Sequence, residues 1–177
     1  KMTRVAGVVA DGFLAHPFSS RRSLLERTLP ALEAGLGLAG RRREDLDVIC
    51  ATLVVTGDSE ESFRTSREAA RKQLAFYAST PAYRGTLEVH GWEEVHLEAN
   101  RLSKQGEWDA MTALISDEVL ETIAVVGPRV EIAGRIEARL EGIADGVSLT
   151  HNRYPDPSQW ADVVETLRQG RSAPVSP

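Results

Sequence analysis

Apolar residues recur at a helical period from the start of the chain. Met2, Val5, Ala6 and Val9 fall at i, i+3, i+4 and i+7, a stripe closed by Asp11-Gly12. Phe13-Leu14-Ala15-His16 then reads as a short apolar strand, broken by Pro17. Ser19 and Ser20 can cap the next helix, which carries Leu24, Leu25, Leu29, Leu32 and Leu36. Pro30 inside it predicts a kink or two abutting helices, because proline lacks an N–H and its ring clashes with the preceding turn. Gly35, Gly37 and Gly40 end the helix. Residues 46–56 are the clearest strand, apolar on both faces as expected of a strand covered on both sides. Asp58 and Glu61 then predict a capping box for a helix to about Ala78.

Ser79-Thr80-Pro81 breaks that helix, and residues 93–105 and 107–115 predict two more. The second places Trp108, Met111, Leu114 and Ile115 on one side, and Asp117 caps a further helix to about Val126. Gly127-Pro128 opens a helix whose expected buried stripe is Val130, Ala133, Ile136 and Leu140, with proline well placed in the first turn. Val147-Ser148-Leu149-Thr150 is a third strand. A last helix from near Pro157-Ser158 buries Trp160, Val163, Val164 and Leu167, and residues 170–177 form a disordered tail. Three strands alternating with helices predict an α/β fold with a parallel sheet. Residues 57–127 read as a helical insertion between two strands.

Composition narrows the class. A chain of 177 residues suits about one domain, and 42% hydrophobic residues exclude a disordered one. With 26 acidic against 21 basic residues, the net charge of −5 argues against nucleic-acid or anionic-membrane partners. The densest basic cluster, Arg41-Arg42-Arg43, is followed by Glu44-Asp45 and reads as a solvated helix end. The longest nearly apolar run, residues 48–55, falls far short of the ~20 residues that cross a bilayer. Lys1-Met2-Thr3-Arg4 does not resemble a signal peptide, and Cys50 lies alone in an apolar run. A buried structural thiol and a cytoplasmic location are the expectation. No metal site is expected, since His90 and His96 are six apart and share no helix face. A helical pattern already running at the second residue suggests the C-terminal part of something longer.

An internal repeat carries the candidate chemistry. Ala10-Asp11-Gly12-Phe13-Leu14-Ala15-His16 recurs as Ala144-Asp145-Gly146-Val147-Ser148-Leu149-Thr150-His151. Each unit is a helix, an Ala-Asp-Gly turn, an apolar strand and a histidine just past its end. Such units build a (β/α)8 barrel, whose active site lies at the C-terminal strand ends. His16, Thr150, His151 and Arg153 are therefore candidate pocket residues, with Ser19, Ser20, Asn152 and Tyr154 nearby. The alternative for either histidine is loop packing, and for Arg153 a salt bridge to a neighbouring helix. The Gly127-Pro128 helix start offers N–H groups to a phosphate. Tyr77, Tyr83, Trp92 and His96 are candidates for a lid over the pocket, or for core.

The opening segment up to Pro17 resembles the part of luciferase-like monooxygenases in which a helix leads into an Ala-Asp-Gly strand. The insertion segment from Gln73 to Arg84, with Gly91-Trp92 and Gly106-Glu107-Trp108-Asp109, is similar to actinobacterial members that depend on the deazaflavin coenzyme F420. The resemblance covers residues 1–169 and implies a partial (β/α)8 TIM barrel. Residues 13–16, 46–56 and 147–150 would be strands six, seven and eight, with the long insertion between the last two. Strands one to five would be missing. Lys1 and Met2 would be the surviving edge of the turn that cradles the cofactor phosphate.

The function so implied is F420-dependent oxidoreductase chemistry on a small organic substrate, inactive in this segment alone, with His16 accepting a hydroxyl proton as hydride leaves. FMN-dependent monooxygenase activity, or a non-catalytic barrel piece acting as an assembly module, are the alternatives. Homodimerisation or self-association through open sheet edges is expected.

Overall fold

The structure, a computed structural model, describes residues 1–150 and 157–172. In chain order the elements are α1 Met2–Val9, β1 Gly12–Ala15, α2 Arg21–Ser23, α3 Leu29–Leu38, β2 Asp47–Val55 and α4 Glu60–Ser79. There follow α5 Arg84–Glu88, α6 Glu93–Gln105, α7 Trp108–Ala113, α8 Asp117–Ile123 and β3 Val125–Val126. The last are α9 Ile132–Leu140, β4 Gly146–Thr150 and α10 Ala161–Ser172.

The sheet is parallel and built around β2. β1 pairs with its first half (Gly12 with Asp47, Ala15 with Cys50) and β4 with its middle (Gly146 with Ile49, Thr150 with Leu53). Because Ile49 is paired to both Leu14 and Gly146, β1 and β4 lie on opposite edges of β2. The two residues of β3 join the end of β2, Val54 opposite Val125. The two Ala-Asp-Gly units therefore flank the central strand, each a helix, a turn and a strand.

Side chains alternate across a strand, and β2 uses the alternation to divide two cores. Val48, Cys50 and Val54 face a core made with Leu32, Leu36, Ile132, Ile136, Leu140, Trp160 and Val163. Leu53 and Val55 face a second core with Phe18, Leu74, Leu87, Ala99, Leu120 and Ile123, contributed mainly by α4 to α8. On that same face Ile49 and Ala51 are only half-buried, and Leu14 of β1 is 63% exposed. The apolar run of β2 is thus not covered on both sides throughout. The insertion roofs its far end and leaves the near end open.

Several local expectations are corrected. The α1 stripe points outward: Met2, Val5 and Val9 are exposed and Gly7 is buried. Gly7 and Gly35 instead let α1 and α3 meet backbone to backbone. A Cβ on Gly35 would stand 2.1 Å from the Arg4 carbonyl oxygen, and one on Gly7 would stand 2.3 Å from that of Leu32. Pro30 is accommodated by a π-helical turn, Leu24–Thr28, that joins α2 to α3. Ser59 and Ser62, not Asp58 and Glu61, form the capping box of α4. Ser116 caps α8, which stops at Ile123 because Val125 and Val126 turn into a strand. Trp108 is exposed while Met111 and Ile115 are buried. Val130 is 91% exposed, because Arg129–Glu131 is a 3-10 turn that precedes α9 and sets the buried stripe at Ile132, Ala133, Ile136 and Leu140. α10 continues to Ser172, past the point where the tail was expected to begin.

The arginine cluster is also not a solvated helix end. Arg41 donates to the Gly7 and Ala10 carbonyls at 3.3 and 2.8 Å, capping α1. Arg43 donates to Asp145 at 2.7 Å, and the same Asp145 oxygen accepts the Val48 N–H at 2.7 Å. Arg41 and Arg43 thereby tie the N-terminal ends of the sheet to both repeats. No helix among the described residues is long and apolar enough to cross a membrane.

The helix crossing gives paired glycine predictions. Gly35→Ala forces α1 and α3 apart and should cost about 2–3 kcal/mol, a Tm drop of roughly 5–10 °C. Gly37→Ala, on the same helix with nothing within 4 Å of a new Cβ, should be neutral or stabilise by up to about 1 kcal/mol. Thermal melts of the two variants check this, and equal Tm values would contradict the crossing.

Candidate functional site

At the C-terminal end of β1 the chain leaves the sheet through His16 and Pro17, and a cleft of about 570 Å³ opens beside them. It is lined by Lys1 just before α1 and Thr3 within it, from the π turn by Arg27 and Thr28, and from the insertion by Ala82, Tyr83, Gly85 and Thr86. No carboxylate lines it among the described residues. His16 Nδ1 accepts the Phe18 backbone N–H at 3.1 Å. Tyr83 stacks on the imidazole at 4.2 Å between centroids, and Tyr77 meets it edge-on at 4.7 Å. Burial lowers the His16 pKa, favouring the neutral ring.

Arg27 lies flat over Gly85, where a Cβ would come within 2.5 Å of its guanidinium. Its carboxylate neighbour Glu88 is 3.5 Å away and is held more closely, at 2.7 Å, by Arg84. Two arginines thus share one carboxylate at the mouth, leaving the cleft positive in an acidic chain.

Four contacts fix the wall of the cleft. Thr86 donates to the Phe18 carbonyl at 2.9 Å, and Ser20 Oγ meets His90 Nε2 at 2.7 Å, with His90 stacked on Trp92 at 4.5 Å. The Ser20 hydroxyl also accepts the Ser23 N–H, capping α2. The fourth is Arg139 of α9, which reaches the Ser19, Ile123 and Ala124 carbonyls at 2.6, 2.5 and 3.5 Å. Burial pushes its guanidinium down to about 10, so it stays charged at neutral pH.

Of the residues singled out in the sequence, the cleft unites His16, Lys1, Ser19 and Tyr83. Met2 is exposed on α1 and does not line it. Thr150 is half-buried at the end of β4, on the other side of β2 from β1 and paired with Leu53, and it is not among the residues that line the cleft. His151, Asn152, Arg153 and Tyr154 lie outside the described residues. His96 is buried and bonds the Ala78 carbonyl at 2.7 Å, so it belongs to the insertion core. The Gly127 N–H is taken by the Val55 carbonyl at 3.1 Å, which removes it as a phosphate donor. Cys50 is buried and its thiol is pushed up to about 11, an inert core group. Arg27, Thr86 and Arg139 belong to no motif in the sequence, and the spacing of His90 from His96 speaks only to metal binding. The one sequence signal for Arg27 was the helix disturbed by Pro30, which sets where the π turn aims it.

This fold and cleft define an α/β protein whose candidate chemistry sits at the C-terminal ends of parallel strands. The chain belongs to the luciferase-like monooxygenase family, whose pattern it matches over residues 1–146. It is 51% identical over 146 residues to the uncharacterized protein Rv1360 of Mycobacterium tuberculosis, covering 82% of this chain and 43% of that one. It is 28% identical over 143 residues to the 5,10-methylenetetrahydromethanopterin reductase of Archaeoglobus fulgidus, covering 77% and 41%. The coenzyme F420-dependent tetrahydromethanopterin reductase of Methanopyrus kandleri shares the fold, with a TM-score of 0.67 at 23% identity over 95% of this chain and 46% of that one. The chain therefore spans less than half the length of these relatives.

Two predictions concern the wall. Arg139→Met strands three carbonyls and should cost about 2–4 kcal/mol, a Tm loss of roughly 5–15 °C; a melt unchanged from the parent would remove Arg139 as a clamp. Burial lowers the pKa of His16 and His90 below the ordinary value of 6.5, His90 also through Arg22. Below about pH 6.5 the unfolded chain then binds more protons than the folded one, and stability falls as the pH falls. Tm should drop between pH 7.5 and 5.5, and less steeply in His90→Gln; identical slopes in the two proteins would refute the contribution of His90.

Proposed function

We propose that this chain is the C-terminal half of a coenzyme F420-dependent oxidoreductase that moves hydride between the coenzyme and a small organic substrate. The observation that carries the reading is the cleft at the end of β1, where a neutral imidazole lies between two tyrosines beside Lys1 and Arg27. The kinship with F420-dependent reductases supports the choice of coenzyme.

The donor set fits an anionic cofactor. Lys1 and Arg27 line the cleft with no carboxylate among the lining residues, and Gly85 leaves the space that the Arg27 guanidinium fills. Lys1 and Arg27 would hold the phosphate of the coenzyme, which supplies a hydride-carrying ring when bound. Tyr77 and Tyr83 would exclude water, and His16 would meet the substrate. Thr150, His151 and Arg153 would be further substrate-pocket residues.

The far edges of β1 and β4 have no strand partner among the described residues. Together with exposed Met2, Val5, Val9 and Leu14, these edges support self-association of the isolated chain. A cytoplasmic location completes the reading, supported by the lone buried thiol of Cys50.

Fluorescence titration tests it. A longer protein that adds the preceding strands should bind F420 at least tenfold more tightly than FMN, and the 177-residue chain should turn over no substrate. Tighter binding of FMN would move the protein to flavin chemistry, and binding of neither would overturn the enzyme reading.

A further inference from the structure

His16 lines the cleft, and the tautomer of its ring is set by what Nδ1 does. A backbone N–H can only donate, so the Phe18 N–H at 3.1 Å requires a lone pair on Nδ1. Phe18 cannot move away: its side chain is buried in the second core, its carbonyl accepts Thr86, and the next carbonyl is gripped by Arg139. The ring plane is held by Tyr83 stacked at 19° and Tyr77 at 77°. Among the described residues nothing hydrogen-bonds Nε2.

We propose that His16 is a hydrogen-bond donor locked in one tautomer, with its hydrogen on Nε2 facing the cleft, and that the ligand group meeting it is an acceptor oxygen of the carbonyl class. The proposal rests on the cleft being part of the oxidoreductase site, and it reverses the expected role of His16 as acceptor of a hydroxyl proton. In this tautomer Nε2 has no lone pair to offer. A neutral imidazole that gave up this hydrogen would become an imidazolate, so His16 lends a hydrogen bond and keeps its proton. The bond draws electron density toward the carbonyl oxygen, so the carbonyl carbon better accepts the hydride that the reduced coenzyme gives up, and the alkoxide left on that oxygen takes its proton from solvent water entering the cleft. The site is therefore built for ketones or aldehydes to be reduced, and Phe18 is a positioning residue acting through its main chain.

The test uses the 177-residue chain without coenzyme. Nitrogen-15 NMR of labelled histidine at pH 7.5 should place His16 Nε2 in the protonated range and Nδ1 in the unprotonated range. Acetone, which offers only acceptors, should shift the Nε2–H resonance. It should bind about tenfold more weakly to His16→Leu, which lacks a donor, and nearly as well to His16→Asn, which retains one. An unprotonated Nε2, a resonance unmoved by acetone, or wild-type acetone binding in His16→Leu would each overturn the proposal. None of these readouts needs F420, so failure to bind the coenzyme would sink the broader reading and leave this one decided on its own result.

Discussion

Arg139 is a buried cation with no carboxylate paired to it among the described residues, and much of the arrangement depends on how its charge is satisfied. It is spent on three carbonyls: that of Ser19, just after β1, and those of Ile123 and Ala124, where α8 ends. The carbonyls at a helix C-terminus carry partial negative charge, so α8 supplies what a carboxylate would otherwise have to. Arg21 answers from the other side, donating to the Arg139 and Glu141 carbonyls at 2.7 and 3.0 Å as α9 ends. Two guanidiniums thus bind together the segment after β1, the exit of the insertion and the helix that leads to β4, three parts more than 100 residues apart at their extremes.

The cleft inherits its shape from this bracing. β1 lines it through Phe13 and Ala15, and β2 beside it gives one row of side chains to the helices and the other partly to the insertion. The insertion is then held against the loop after β1 by Thr86, His90 and Arg139, so that Tyr77 and Tyr83 arrive at His16 from a rigid roof. None of these tethers is an exposed ion pair, the kind worth least in water. The surface network in which Arg67 and Arg71 share Asp117 lies elsewhere, between α4 and α8.

What the sequence made legible was whatever rests on short-range periodicity. The strand around Val48 to Val55, the helix Glu93–Gln105 and the two Ala-Asp-Gly units were all readable, and the repeat singled out His16. What escaped rests on contacts without hydropathy. The α1 stripe was misassigned because α1 docks through Gly7, and a glycine contact adds nothing to an apolar pattern. Val130 fits the period of a helix but sits in a 3-10 turn, where three residues per turn swing it outward. Arg139 was invisible because its partners are carbonyl oxygens, which every residue has. Ser20 and His90 are 70 residues apart, and no local signal joins them.

The tethers at the cleft hold the loop after β1 by its backbone: the carbonyls of Phe18 and Ser19 are gripped, whereas the side chains of His16 and Ser19 line the open space. Any residue has a carbonyl to offer Arg139 or Thr86. The scaffold is therefore indifferent to which side chain stands at position 19, which can be exchanged during evolution without renegotiating the contacts that keep the insertion in place, whereas His16 also holds the Phe18 N–H and packs on Tyr77 and Tyr83. Such a division lets a lineage retune what its pocket recognises one side chain at a time, on a framework that does not have to be rebuilt for each new ligand.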